Sequence, residues 1–140
     1  MKVLVDTPVW SLALRKQSKT EADERAVKEL TELVRESRVV MIGPIRQEIL
    51  SGISDEGKFE TLRQKLRAFD DEVLTTEHFE LAASLSNRCR RQGIQGSHTD
   101  FLLCAVSVKG NHPIFTLDKD FDRYRGYVGI ELYQERNGAE

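Results

Sequence analysis

The stretch Met1-Lys-Val-Leu-Val-Asp6-Thr7-Pro8-Val9-Trp10 decides how this chain is read. Lys2–Val5 is a short apolar run of the kind that forms a strand buried on both faces. Asp6 ends it. Thr7 is a good N-cap, and Pro8 suits the first helical position because its missing N–H would have no intrahelical partner there. A buried strand that turns straight into a helix is the first piece of an α/β unit. A carboxylate left at that junction sits where such sheets collect ligands.

The same alternation continues outward. Arg15–Lys19 is polar and basic and reads as a loop. Thr20 begins a longer helix, with Glu21, Asp23 and Glu24 crowding its positive end and Ala26, Val27, Leu30, Leu33 and Val34 as its apolar stripe. Val39–Ile42 is a second strand. Gly43-Pro44 turns into a helix carrying Ile45, Glu48, Ile49 and Leu50, which Gly52 ends. Phe59, Leu62, Leu66 and Phe69 are spaced for another amphipathic helix, and Glu72–Leu74 for a short strand. Glu77–Arg91 is a helix with Phe79, Ala82, Leu85 and Cys89 at apolar positions, a basic last turn and Gly93 as its stop. Ser97 starts the next helix, with Phe101, Cys104, Ala105 and Val108 on one face. Pro113–Thr116 is a strand, Asp118–Tyr124 a short helix or turn, and Tyr127–Leu132 a final strand. The expectation is one α/β domain with a mostly parallel sheet over residues 1–134, followed by a polar, frayed tail at 135–140.

The bulk numbers agree with one soluble domain. The chain has 140 residues, enough for a real core, with 39% hydrophobic and 31% charged residues. A net charge of −2 excludes a global basic field, so contact with nucleic acid needs local patches. Cys89 and Cys104, the only cysteines, form no disulfide framework or zinc spacing and read as buried thiols. The N-terminus reads as a strand rather than a signal peptide, and no apolar run approaches the ~20 residues that span a bilayer. The expected location is cytoplasmic.

Four acids then stand out: Asp6, Glu48, Asp100 and Asp118. Asp6 ends the first strand, Asp118 lies just past the Pro113–Thr116 strand, Glu48 is on the helix after the second strand, and Asp100 is in the first turn of its helix. All four can converge on the carboxyl edge of the sheet. Singly, each has a bland explanation: Asp6 and Asp118 as helix caps, Asp100 three residues after Ser97 in an imperfect capping box, Glu48 on a solvated face. Capping does not explain mid-helix Glu48 together with the rest. Gathered carboxylates repel unless a cation sits between them, and an all-oxygen set suits a hard divalent ion such as Mg²⁺ or Mn²⁺.

At this point the set resembles a known family. Val-Leu-Val-Asp6-Thr7, Ile-Arg-Gln-Glu48-Ile-Leu-Ser-Gly, Thr-Asp100-Phe-Leu-Leu-Cys-Ala and Thr116-Leu-Asp118-Lys-Asp120-Phe together resemble the PIN-domain ribonucleases, and among these the VapC-type toxins of toxin–antitoxin modules. The likeness covers nearly the whole chain, in length, order and spacing. It implies a short parallel sheet of about five strands flanked by helices, and Mg²⁺- or Mn²⁺-dependent endonucleolytic cleavage of RNA. It makes Asp6, Glu48, Asp100 and Asp118 the catalytic, metal-binding acids, with Asp6, Asp100 and Asp118 as ligands, Glu48 either a ligand or the base on the attacking water, and Asp120 a further metal position present in some members. Thr7 and Thr116 match hydroxyl positions lining the site. A VapB-type antitoxin partner and a homodimer are likewise implied. The bulky Phe-Leu-Leu-Cys-Ala after Asp100 departs from the commonest form of the family, in helix packing more than in metal binding.

Of the basic segments, Lys119, Arg123 and Arg125 lie beside Asp118 and are the best placed for RNA phosphates. Arg15, Lys16 and Lys19, and Arg88, Arg90 and Arg91, read as ordinary solvated or helix-end charge. His78, His98 and His112 are isolated in sequence, and Trp10 and Phe101 read as core. Asp118-Lys-Asp-Phe-Asp122 opens like a calcium-binding loop but fails, with Arg123 and Gly129 where Gly and Glu are needed. Pro8 stands where a nucleophilic-aspartate phosphotransferase needs a second Asp. The alternative to an enzyme is a catalytically inactive RNA-binding or regulatory domain, which the intact acidic set argues against.

Overall fold

β1 (Val3–Val5) is fully buried and is the middle strand of a parallel sheet in the order β2-β1-β3. In this computed structural model, residues 1–14 and 19–136 are described. Val3 and Leu4 pair with Val39 and Val40 of β2 (Val39–Val40), and Leu4 and Val5 with Ile114 and Phe115 of β3 (Ile114–Phe115). The chain leaves β1 to one side and later returns to the other. The strand order therefore reverses at β1, and its carboxyl end is the switch point of the sheet, the place where α/β folds open a crevice.

Helices connect these strands. α1 (Thr7–Leu14) follows β1 directly; the Asp6 carbonyl accepts from Val9 N, so Asp6 rather than Thr7 occupies the cap. α2 (Glu21–Arg35) starts on a capping box in which Thr20 and Asp23 satisfy each other's backbone N–H groups. α3 (Gly43–Leu50) carries Pro44 in its first turn, and α4 (Glu56–Leu66) is capped by Asp55. α5 (Thr76–Arg91) ends at Gly93, whose φ of +76° is the left-handed geometry that stops a helix. α6 (His98–Gly110) is the most enclosed helix: every residue from Phe101 to Ser107 is buried. Among the described residues no helix is long and apolar enough to cross a membrane.

Two of the five expected strands shrink to single bridges. Asp71 bridges Met41 and Leu132 bridges Ile114, both parallel, so the two outer positions exist without forming ladders. On one edge, Arg46 takes over the ladder's task. Its guanidinium donates to Asp71 Oδ1 at 3.0 Å, to the Leu66 carbonyl at 2.9 Å and to the Phe69 carbonyl. On the other edge, the expected strand Tyr127–Leu132 gives its first residues to a helix, α7 (Asp120–Val128). Phe121, Tyr124 and Val128 are all buried, and their spacing of three and four is helical.

Further departures concern side chains. Val34, Phe79 and Val108, assigned to apolar faces, are exposed, because buried residues one step away do the packing on α2, α5 and α6. Glu29 is buried on α2, accepting from the Tyr133 hydroxyl at 2.5 Å and from Arg136 Nε at 2.7 Å. Arg136 also grips Glu36, so the chain is tied down at residue 136, inside the segment expected to fray. Residues 137–140, like Arg15 and Lys16 of the first basic segment, lie outside the described residues. Cys89, Cys104, Trp10 and Phe101 are buried as expected. His78 and His112 are engaged: the His78 ring accepts from Thr75 N at the start of α5, and His112 lies 3.2 Å from Glu72.

Candidate metal centre

The carboxyl end of β1 places Asp6, and the end of β3 places Thr116 beside it. Asp6 is 5% exposed, and both its oxygens are engaged: Oδ1 accepts from Thr7 N and Oδ2 from the Thr116 hydroxyl, each at 2.8 Å. Thr116 Oγ1 in turn accepts from Asp118 N at 3.0 Å, and Asp118 Oδ1 accepts from Asp120 N at 2.9 Å. From the other side, the Thr7 hydroxyl donates to Glu48 Oε1 at 2.6 Å. Thr7 and Thr116, expected as hydroxyls lining the site, are thus the links of one chain of hydrogen bonds running from Glu48 to Asp120.

Asp100 enters from α6. Ser97 caps that helix by accepting from Asp100 N at 3.0 Å, which fixes the first turn over the end of the sheet. The Tyr124 hydroxyl of α7 donates to Asp100 Oδ2 at 2.7 Å. Oxygens of Asp100, Asp118 and Asp120 all lie within 4.8 Å of one another. Ligand oxygens held about 2.0–2.6 Å from one ion are separated by no more than about 4–5 Å, so this trio fits a hard divalent cation. Asp6 and Glu48 lie outside the trio, yet near enough that Asp100 and Glu48 both push up the pKa of Asp6.

The electrostatics follow from that crowding. Burial is the main cause that raises Asp6 to about 6, with the Thr116 and Thr7 bonds opposing it and the neighbouring acids adding to it. Burial likewise raises Asp100, reinforced by Asp118 and opposed by the bonds from Tyr124 and Ser97. The ion pairs of Arg46, Arg125 and Arg136 go to Asp71, Asp122, Glu29 and Glu36 rather than to the five acids. Two unit charges 4 Å apart repel by roughly 1 kcal/mol in water and roughly 4 kcal/mol at an effective dielectric near 20. Asp100 and Asp118 are half-buried, so solvent screens their repulsion less than in open water, and a bound cation would relieve it.

Lys119 and Arg123, expected to meet substrate, are exposed on the turn after Asp118 and on α7. Arg125 is drawn back to Asp122 at 3.6 Å, and Arg88 donates to the Tyr127 carbonyl at 3.1 Å. Sequence reasoning missed Tyr124. The period of Phe121, Tyr124 and Val128 could have placed its ring in the core, but nothing in the chain signals that its hydroxyl reaches Asp100. Gly96 belongs to the same arrangement, since a Cβ there would sit 2.2 Å from the Tyr124 oxygen.

Comparison with known proteins agrees with this geometry. Residues 3–127 match the PIN domain, and the chain belongs to the PIN-domain family. PIN domains are generally nucleases and typically bind divalent metals. Three solved structures share the fold. FitAcB from Neisseria gonorrhoeae is 19% identical with a TM-score of 0.76, covering 96% of this chain and 99% of that one. VapBC2 from Rickettsia felis, bound to a DNA fragment from their promoter, is 14% identical with a TM-score of 0.74, covering 95% and 98%. A toxin–antitoxin complex from Klebsiella pneumoniae is 15% identical with a TM-score of 0.62, covering 86% and 90%. No curated protein matches the chain.

Proposed function

We propose that this chain is a divalent-metal-dependent endoribonuclease and the toxin of a VapBC-type toxin–antitoxin module. The observation that carries the reading is the carboxylate trio of Asp100, Asp118 and Asp120 at the switch point of a PIN-domain sheet. The domain extends over residues 1–134, with 135–140 as a tail that is anchored on Glu29 and Glu36 through Arg136, and works in the cytoplasm. Its partners are a VapB-type antitoxin, which blocks the cleft, an RNA substrate and a second copy of the chain. Support for the antitoxin comes from the fold shared with toxin–antitoxin complexes.

In this reading the trio holds Mg²⁺ or Mn²⁺, with Asp6 completing the negative pocket beneath it. The bound ion supplies charge neutralisation at the scissile phosphate and a lowered pKa for a coordinated water. The protein's own residues do the positioning. Thr116 and the Thr7 backbone hold Asp6, Tyr124 and Ser97 hold Asp100, and Thr7 holds one oxygen of Glu48. Glu48 is exposed, held through Oε1 alone among the described residues, and is the group we assign to take a proton from the attacking water. Lys119 and Arg123 attract the RNA backbone. Incubating a panel of RNAs with the purified chain and Mn²⁺ tests the proposal. Cleavage abolished by EDTA and by Asp118→Asn is the expected result; intact RNA in every condition refutes it.

A further inference from the structure

α7 begins inside the candidate metal site and runs away from it. Its first residue, Asp120, belongs to the carboxylate trio. Phe121, Tyr124 and Val128 form its inward face and are buried, so the helix is fixed against the core. Lys119, Arg123 and Tyr127 follow one another at spacings of four and are exposed, a second stripe on the outward side. Tyr127 stands seven residues past Asp120, on the same flank of the helix and about 10 Å further along its axis. The ion pair of this helix, Arg125 with Asp122 at 3.6 Å, lies on the opposite flank.

A second helix reaches the far end of this stripe. Arg88 of α5 donates from Nη1 to the Tyr127 carbonyl at 3.1 Å. The bond uses only the main chain of Tyr127 and leaves its ring out of the contact. Arg88 is itself exposed, and a guanidinium carries further N–H donors beyond the one used here. The Tyr127 side chain is 41% exposed, an aromatic surface that the core does not need. Three cations and one ring therefore run from the acids to the end of α7, a local positive line on a chain of net charge −2. Cations alone suit any polyanion. The exposed ring adds a preference, because only an unpaired base can leave its own stack and lie on an aromatic side chain.

We infer that the RNA strand leaves the metal site along α7, with its phosphates at Lys119, Arg123 and Arg88 and an unpaired base stacked on Tyr127. The inference rests on the ribonuclease reading and deepens it. The substrate is single-stranded on the α7 side of the cut, and Tyr127 and Arg88 join the residues that hold it.

Fluorescence anisotropy of a labelled single-stranded RNA on full-length Asp118→Asn protein, in which cleavage is disabled, reads binding alone. In that background Tyr127→Ala is expected to weaken binding about ten-fold, within the range for loss of one stacked base, and Tyr127→Phe to retain it. Arg123→Gln and Arg88→Gln are each expected to reduce the slope of log affinity against log salt by about 0.7, the single-strand value for one phosphate contact. A fully base-paired RNA of the same sequence is expected to bind the Tyr127→Ala variant and its parent equally. Single-strand affinity that Tyr127→Ala leaves unchanged, or slopes that both arginine variants leave unchanged, overturn the track while leaving the cleavage reading to its own assay. An equal loss for duplex and single strand overturns the stacked base. Binding that depends on Tyr127, with no Mn²⁺-dependent cleavage by the wild type, upholds α7 as an RNA surface and refutes the nuclease. Absence of RNA binding overturns the track outright. A Tyr127→Ala variant that changes sedimentation but not RNA affinity makes the stripe a protein interface and likewise overturns the assignment.

Discussion

The Tyr124 hydroxyl donates a 2.7 Å hydrogen bond to Asp100 Oδ2 from a ring that is fully buried between Phe101 and Phe121. The ring packs, with centroids 5.0 and 5.1 Å from those neighbours, and the oxygen aims a carboxylate. Burial and the adjacent carboxylate both push the phenol's pKa up, so it remains a neutral donor throughout the working range. Partners of this kind behind a metal ligand are worth about 10–100-fold in metal affinity.

Tyr124→Phe separates the two tasks of that side chain. The ring and its packing stay, and only the donor is lost. Mn²⁺ affinity by calorimetry is expected to fall at least about ten-fold, while stability in urea falls by only about 1–3 kcal/mol. Unchanged Mn²⁺ affinity would make Tyr124 a packing residue alone. Gly96→Ala should disturb both at once, because its Cβ needs the space that the Tyr124 oxygen fills.

Asp100→Asn is expected to act in opposite directions on stability and activity. The amide oxygen can still accept from Tyr124, while one member of a mutually repelling set is neutralised. The metal-free variant should melt higher than the wild type and cleave no RNA. Thermal melts in EDTA and RNA cleavage in Mn²⁺, run on the same preparation, check it. A lower melting temperature with activity retained would contradict the clustering.

The pH dependence of the metal-free protein has a definite sign. Asp6 is raised from 3.8 to about 6 on folding, chiefly by burial. A carboxyl that binds its proton more tightly when folded contributes stability that is complete below pH 3.8 and is lost as pH rises through about 6. The loss amounts to about 3 kcal/mol. Glu36 and Glu60 have lowered values and act with the opposite sign, so the readable quantity is the difference between wild type and Asp6→Asn. Melts in EDTA from pH 4 to 7 should show the variant gaining on the wild type across that window. Saturating Mn²⁺ should shrink the difference, since the ionised acids are then paired with a cation.

Much of this arrangement could be read from the chain, for a physical reason. Asp6, Asp100 and Asp118 sit at strand and helix ends, where a two-residue signal such as Asp-Thr or Ser-x-x-Asp marks the backbone turn that places them. The α/β alternation is equally readable, because Val3–Val5 and Phe101–Val106 are apolar without interruption. What escaped depends on partners distant in sequence. Arg46 replaces a strand ladder at Asp71, Tyr124 meets Asp100, and buried Glu29 meets Tyr133 and Arg136, which lie about a hundred residues away. Local pattern carries no trace of such pairs. The final strand was misassigned because Tyr127 and Val128 have strand propensity, while the helical spacing of the buried residues before them prevailed.

That remote pair gives a further test. Arg136→Ala leaves the Glu29 carboxylate, 5% exposed, with only the Tyr133 hydroxyl. Arg136 is itself 39% exposed, so the loss should fall below the full cost of breaking a buried pair, at about 1–3 kcal/mol in chemical denaturation. Glu29→Gln in the same background should recover part of it. No loss at all would show that Arg136 contributes nothing to the fold.

The most direct measurement is a calorimetric titration of Mn²⁺ into the purified chain and into its Asp118→Asn variant. Saturable binding to the wild type, weakened at least about ten-fold or lost in the variant, is the result expected if these carboxylates jointly hold the ion. No uptake by the wild type, or equal uptake by both proteins, would contradict the account at its root.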